Sequence, residues 1–154
     1  MKKSLLSVLL LVICLSCKEE NPAPSKADLL TGKVWKWAAG SISPAYDIFG
    51  IGVLVGDDYF TRVPECWRDD RWTFSTAKKF THDEGASRCN IGDPQIYIQG
   101  TWAFEPGENS IRITKDGSGE FVWTVNELTS TSLVVAETFK ENGKTYTINY
   151  SFGH

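Results

Sequence analysis

Four cysteines carry the most reactive side chains in this sequence: Cys14, Cys17, Cys66 and Cys89. A thiol can be alkylated, paired with a second thiol or made a metal ligand, and its surroundings decide which. Cys17 follows a run, Leu5–Leu15, that is apolar except for Ser7, and it comes directly after the small residue Ser16. Placed there, its thiol is the nucleophile that takes up a diacylglycerol, so Cys17 is the expected lipidation site. Cys66 and Cys89 lie far downstream. In an oxidising, exported setting their default state is a disulfide, which by chain entropy would contribute roughly 3 kcal/mol. The alternative is a zinc site. No Cys-x-x-Cys pair occurs, and the histidines are His82 and the C-terminal His154.

Met1–Ser16 has the three regions of a signal peptide in order: Lys2 and Lys3, then the apolar run, then Ser16 before the cut. The apolar run is about half the roughly 20 residues that a spanning helix needs. Cys14-Leu15-Ser16-Cys17 resembles the lipobox of bacterial lipoproteins, with Cys14 where Leu, Val or Ile is usual. A cut before Cys14 would instead leave the bulky Ile13 at the cleavage site. An ordinary secretory signal with an incidental cysteine is the other reading. Lys18-Glu19-Glu20 resembles the short tag that sends Bacteroidota lipoproteins to the outer face of the outer membrane; a solvated charge run is its plain alternative. The expected location is therefore the outer membrane, by lipid anchor, at the cell surface or on the periplasmic face.

The remaining polar residues form no recognisable catalytic set. His82, Asp83 and Glu84 are adjacent, but neighbours on a strand point to opposite faces. His82 and Glu84 share a face without a nucleophile, so a solvated histidine near a turn is expected. Gly-x-Ser-x-Gly, His-Glu-x-x-His and phosphate-cradling glycine loops are all missing from the sequence. Acids cluster at Asp57-Asp58 and at Glu65 with Asp69-Asp70. Calcium favours such oxygen-rich loops, but the spacing fits no calcium loop, and pairing of Asp69-Asp70 with Arg68, Arg71 or Arg88 is the competing expectation. No catalytic residue, metal or cofactor is assigned. The 19 acidic residues outnumber 16 basic ones, two of which, Lys2 and Lys3, lie in the signal segment. An acidic surface argues against nucleic acid or anionic lipid as the main partner, leaving acyl chains as the link to a membrane.

The elements that would position these residues are strands. Residues 17–28, with Pro22 and Pro24, read as the lipid anchor and a flexible extended tether. From Leu29 to His154 apolar residues alternate with polar ones at period two, the mark of half-buried strands. Eight strands are predicted: 33–39, 70–75, 79–84, 97–104, 110–114, 120–127, 132–138 and 144–152. Turn sequences such as Asp116-Gly117 and Asn142-Gly143 separate them and supply the positive φ of tight hairpins. Short sequential links favour an antiparallel meander, which closes most simply as an eight-stranded up-and-down barrel. A sandwich is the rival. Residues 40–69 make one connection too long for a hairpin. Its apolar content, including Tyr46, Phe49, Val55 and Phe60, predicts that it folds back over the barrel, where a Cys66–Cys89 bridge would fasten it.

Six tryptophans, five tyrosines and eight phenylalanines are many for this length. Trp72, Phe74, Trp102, Phe104, Trp123, Tyr146 and Tyr150 fall on the inward parity of their strands and are the candidate ligand-binding residues of a barrel interior. Eight strands enclose a space that side chains fill or that holds one small ligand, and both outcomes stay open. Trp67, beside Cys66, is placed to stand at an opening.

The order of local patterns is also informative. Leu30-Thr31-Gly32-Lys33-Val34-Trp35 opens the domain; Cys66-Trp67-Arg68-Asp69-Asp70-Arg71-Trp72-Thr73-Phe74, Arg88-Cys89-Asn90, Gly100-Thr101-Trp102 and Glu127–Val135 follow. This succession, over residues 29–152, resembles the lipocalin-like lipoprotein domains of the Bacteroidota. The resemblance implies a small barrel able to hold an apolar ligand. The function expected is a non-catalytic, lipid-anchored module for a small hydrophobic or amphipathic molecule. A solid-cored envelope protein that meets a partner protein or glycan is the alternative.

Overall fold

The computed structural model describes residues 22–154. The predicted signal segment and Cys17 lie outside the described residues. The chain forms eight strands in sequence order, β1 (Val34–Ser43), β2 (Arg71–Phe74), β3 (Lys79–Asp83), β4 (Ile96–Phe104), β5 (Ser110–Lys115), β6 (Glu120–Leu128), β7 (Ser132–Glu141) and β8 (Lys144–Gly153). Each pairs antiparallel with its neighbour, and β1 pairs with β8, so the sheet is a closed barrel rather than a sandwich. Alternation sets the faces: Trp35, Trp72, Phe74, Phe80, Trp102, Ile111, Ile113 and Trp123 are buried while their strand neighbours are more exposed. Closure gives every strand a neighbour on both sides.

Local chemistry fixes the turns. Asn142 and Gly143 both take positive φ, 50° and 75°, as a two-residue hairpin between right-twisted strands demands, and Glu141 pairs with Lys144 across it. One end of the barrel is sealed by α1 (Lys26–Leu30), which occupies the last part of the stretch predicted as extended tether. A capping box starts it: Ser25 Oγ accepts from Asp28 N at 3.1 Å, and the Asp28 carboxylate accepts from Ser25 N at 3.0 Å. Leu30 then plugs the barrel, and its carbonyl accepts from the Trp35 indole N–H at 2.9 Å.

The opposite end owes its form to the shortness of β2. β2 pairs with β1 only from Val34↔Thr73 to Lys36↔Arg71. The rest of β1 on that side is met by the connecting segment, residues 44–70. Ile42 N donates to Gly56 O at 2.9 Å, and Tyr46 and Val55 form an isolated bridge. As predicted, the segment folds back over the barrel. It buries Val55, Tyr59 and Val63 and contains two single-turn helices, α2 (Tyr59–Arg62) and α3 (Glu65–Arg68), which the strand pattern did not announce. We call it the lid. The predicted disulfide forms between Cys66 in α3 and Cys89 in the β3–β4 loop.

Candidate functional site

The seven candidate aromatics separate into two groups of three, with Tyr146 apart from both. Phe74, Trp102 and Phe104 belong to the sealed end, with Phe80 and Leu30. There the Trp102 ring stands edge-on to Phe74 and Phe104, and its N–H donates to Ser75 O at 3.0 Å. Trp72, Trp123 and Tyr150 line open space. Tyr146 lies at the rim, stacked on Phe139 at 5.2 Å and packed against Tyr46 at 4.6 Å. The interior is therefore filled at one end and hollow at the other.

The hollow is a chamber of about 740 Å³ beneath the lid. The barrel contributes Trp37, Trp72, His82, Tyr97 and Tyr150 to its wall; the lid contributes Tyr59, Pro64, Trp67 and Asp70; the Cys66–Cys89 bridge, Asn90 and Asp93 complete it. A second space of about 310 Å³ shares Trp72, His82 and Tyr150 with the chamber and is lined further by Phe121, Trp123 and Phe152. Trp67 is thus in the wall of the chamber. The Trp37 indole lies over Gly40, where an added Cβ would come within 2.8 Å of the ring; only glycine lets it lie there.

A small polar set sits in this aromatic wall. His82 Nε2 is 2.9 Å from Asp70 Oδ2, and the imidazole stacks on Trp72 at 4.3 Å. The expectation of a solvated His82 is corrected: on β3 it shares the inward face with Phe80, and Asp70 holds it there. The expected arginine partners of Asp69 and Asp70 are corrected as well. Arg68 donates to the carbonyls of Thr61 and Val63, Arg71 pairs with Asp83 at 2.7 Å and Arg88 with the Gln95 side chain. Asp69 instead accepts from the backbone of Ala86 and Ser87 and from Ser87 Oγ. Asp69 and the disulfide together fasten the lid to the β3–β4 loop.

Burial raises the Asp70 carboxyl above the usual carboxylate range, with the His82 hydrogen bond opposing the shift. Beside it the fully buried Glu84 accepts from the Tyr97 hydroxyl. Burial pushes the Tyr59 phenol up to about 12 and raises Tyr150 further, so both stay neutral donors. In the second space burial also raises Glu137, opposed by the Trp123 N–H at 3.1 Å and the charge of Lys115.

The residues lining the chamber include no serine, no threonine and no free thiol, since both cysteines there are paired. His82 and Asp70 thus have no nucleophile beside them. Among the described residues no group of three or more His, Cys, Asp or Glu side chains is arranged to hold a metal, and no helix is long and apolar enough to cross a membrane. A chamber of this size, mostly aromatic with a few converging polar groups, has the form of a small-molecule site. Sequence reasoning missed Trp37, Tyr59, Tyr97 and Glu137, and it marked Asp70 only as part of an acid cluster. Trp37 alternates with Trp35 and was legible; the others have no local pattern that marks them.

A comparison with curated proteins finds no match. Among solved structures, bovine odorant-binding protein in complex with a selenium-containing odorant is similar at 13% identity and a TM-score of 0.41, over 88% of this chain and 76% of that one. The family model described as lipocalin-like domain matches residues 30–135, more than half of the sequence. On that match, which runs from the α1 plug into β7, the chain belongs to the lipocalin-like domain family.

Proposed function

We propose that this protein is a lipid-anchored binding protein of the outer membrane, without catalytic activity, that holds one small hydrophobic or amphipathic molecule in the chamber beneath its lid. The observation that carries the reading is the chamber itself: about 740 Å³, walled by indole and phenol rings and roofed by a segment that a disulfide fastens down. A barrel packed solid would have had no use for such a roof.

The anchor is Cys17, and the fold is consistent with it. The described chain enters at the sealed end, where Lys26 Nζ donates to Glu108 O in the β4–β5 turn at 2.6 Å. A tether attached there joins the barrel at the end away from the chamber. Residues 17–25 reach about 30 Å when extended, enough to clear the headgroup layer. Native mass spectrometry of the protein released from cell membranes tests both parts. The expected spectrum shows the mass of a lipidated Cys17 and one further small apolar molecule lost on activation. A protein without the added acyl mass, even when Cys17 is intact, would remove the anchor; a protein that carries nothing and takes up no apolar probe would remove the binding role.

A further inference from the structure

The polar groups of the chamber are unbalanced in charge. Asp70 is only 4% exposed, and although its Oδ2 meets His82, its Oδ1 has no hydrogen-bond partner among the described residues. Glu84 stands behind it, 1% exposed, with Oε1 bonded to Tyr97 and Oε2 likewise without a partner. Asp93 is the second carboxylate of the wall, and it accepts from Asn90 Nδ2 at 2.9 Å. Against the two carboxylates of the wall, Asp70 and Asp93, His82 is the one basic side chain lining the chamber among the described residues; Lys115 lines only the adjoining space, where it faces Glu137. A buried carboxylate oxygen with no donor is costly, and a site that leaves one unfilled is shaped for a donor that arrives from outside.

The rest of the wall suits the same visitor. Trp37, Tyr59, Trp67, Trp72 and Tyr150 line the space that Asp70 borders. The faces of indole and phenol rings attract cations, most strongly where water is displaced. Aromatic faces with one buried carboxylate recognise an organic ammonium: the rings take its apolar body and spread charge, and the carboxylate takes an N–H.

Resting on the binding role proposed above, we infer that the ligand class is an amphipathic amine, an aryl or alkyl ammonium whose nitrogen meets the Asp70 carboxylate while its apolar part packs among Trp37, Trp67 and Trp72. His82 holds Oδ2 at 2.9 Å and so fixes the carboxylate in the chamber wall. Glu84 adds negative potential without touching the ligand.

Three nearly isosteric probes test this with the purified full chain: 2-phenylethylamine, 2-phenylethanol and phenylacetate, titrated by calorimetry, with the neutral dye N-phenyl-1-naphthylamine as a separate measure of apolar binding. The ammonium is expected to bind about tenfold more tightly than the alcohol, and the carboxylate more weakly than both. Asp70→Asn should bring the amine down to the level of the alcohol and leave dye binding in place. Glu84→Gln, which keeps the Tyr97 contact, should give a smaller loss in the same direction. Dye and alcohol binding with no preference for the amine, or a preference that survives Asp70→Asn, overturns this inference alone. Failure of all four to bind overturns it together with the binding role on which it rests. If Asp70→Asn does not fold, the ranking of the three probes on the unaltered protein decides.

Discussion

His82 Nε2 lies 2.9 Å from Asp70 Oδ2, and this contact joins the barrel wall to the last residue of the lid. Among the described residues neither side chain makes a second side-chain hydrogen bond: Asp70 Oδ1 is buried without a partner, and the imidazole is stacked on Trp72. His82→Ala removes the one donor to a buried carboxylate, which costs about 1–3 kcal/mol. Denaturant unfolding should show that loss. Replacing both groups, His82→Leu with Asp70→Leu, should recover most of it, because neither member of the pair is then left buried without the other. A double variant as unstable as the single one would show that the contact is not what His82 contributes.

The disulfide closes the chain from Cys66 to Cys89, and the loop it closes corresponds to about 3 kcal/mol of chain entropy. Cys66→Ser with Cys89→Ser should lower the unfolding free energy by that order while the barrel keeps its far-ultraviolet signature. The pair also stands in the chamber wall. Apolar probe affinity should therefore fall in the same variant at temperatures where it remains folded. Unchanged affinity would show that the lid closes without its bridge.

Gly85 pins the β3–β4 loop against the lid. It holds φ at +67°, and an added Cβ would come within 2.0 Å of the Asp69 carbonyl oxygen. That atom is backbone and cannot rotate away. Gly85→Ala should cost about 1–3 kcal/mol from backbone strain alone, and the collision adds to it. The measurement is thermal unfolding beside a control such as Gly92→Ala, where an added Cβ meets nothing.

Glu137 sets a pH dependence whose sign follows from its burial. Its carboxyl is raised above the usual value, chiefly by desolvation. The folded state then holds its proton more tightly than the unfolded chain, so this group favours the fold below the usual carboxylate value and loses that contribution as pH rises through the raised one. Glu137→Gln keeps an acceptor for the Trp123 N–H and removes the titration. Its melting temperature relative to the unaltered protein should be higher at pH 7 than at pH 4.5. A difference independent of pH would mean that Glu137 is as well solvated folded as unfolded.

The strands were legible because alternation is a local property. Trp72 and Phe74, or Phe121 and Trp123, announce their face from two positions of spacing, and Asn142-Gly143 announces its turn. The closing β1–β8 pair followed from the count of sequential strands. The lid was legible as a long apolar connection but not as helices, since α2 and α3 are single turns with no room for a period to show. The site itself was half legible. Trp72, Trp123 and Tyr150 lie on the predicted inward faces and border open space. Phe74, Trp102 and Phe104 share that parity but sit at the sealed end, and parity carries no information about depth along the barrel. Asp70 and His82 were hidden for another reason: their meeting depends on the β2–β3 register, with Trp72 opposite His82, and no spacing in the sequence encodes it.

The hollow half of the barrel bears most directly on function, and titration of the full chain with N-phenyl-1-naphthylamine measures it. The expected result is a fluorescence rise that saturates at one equivalent of dye, with matching loss of tryptophan emission from Trp37, Trp67 and Trp72, and competition by small apolar molecules. A rise that never saturates, or no rise with the protein fully folded, would contradict a chamber open to ligand.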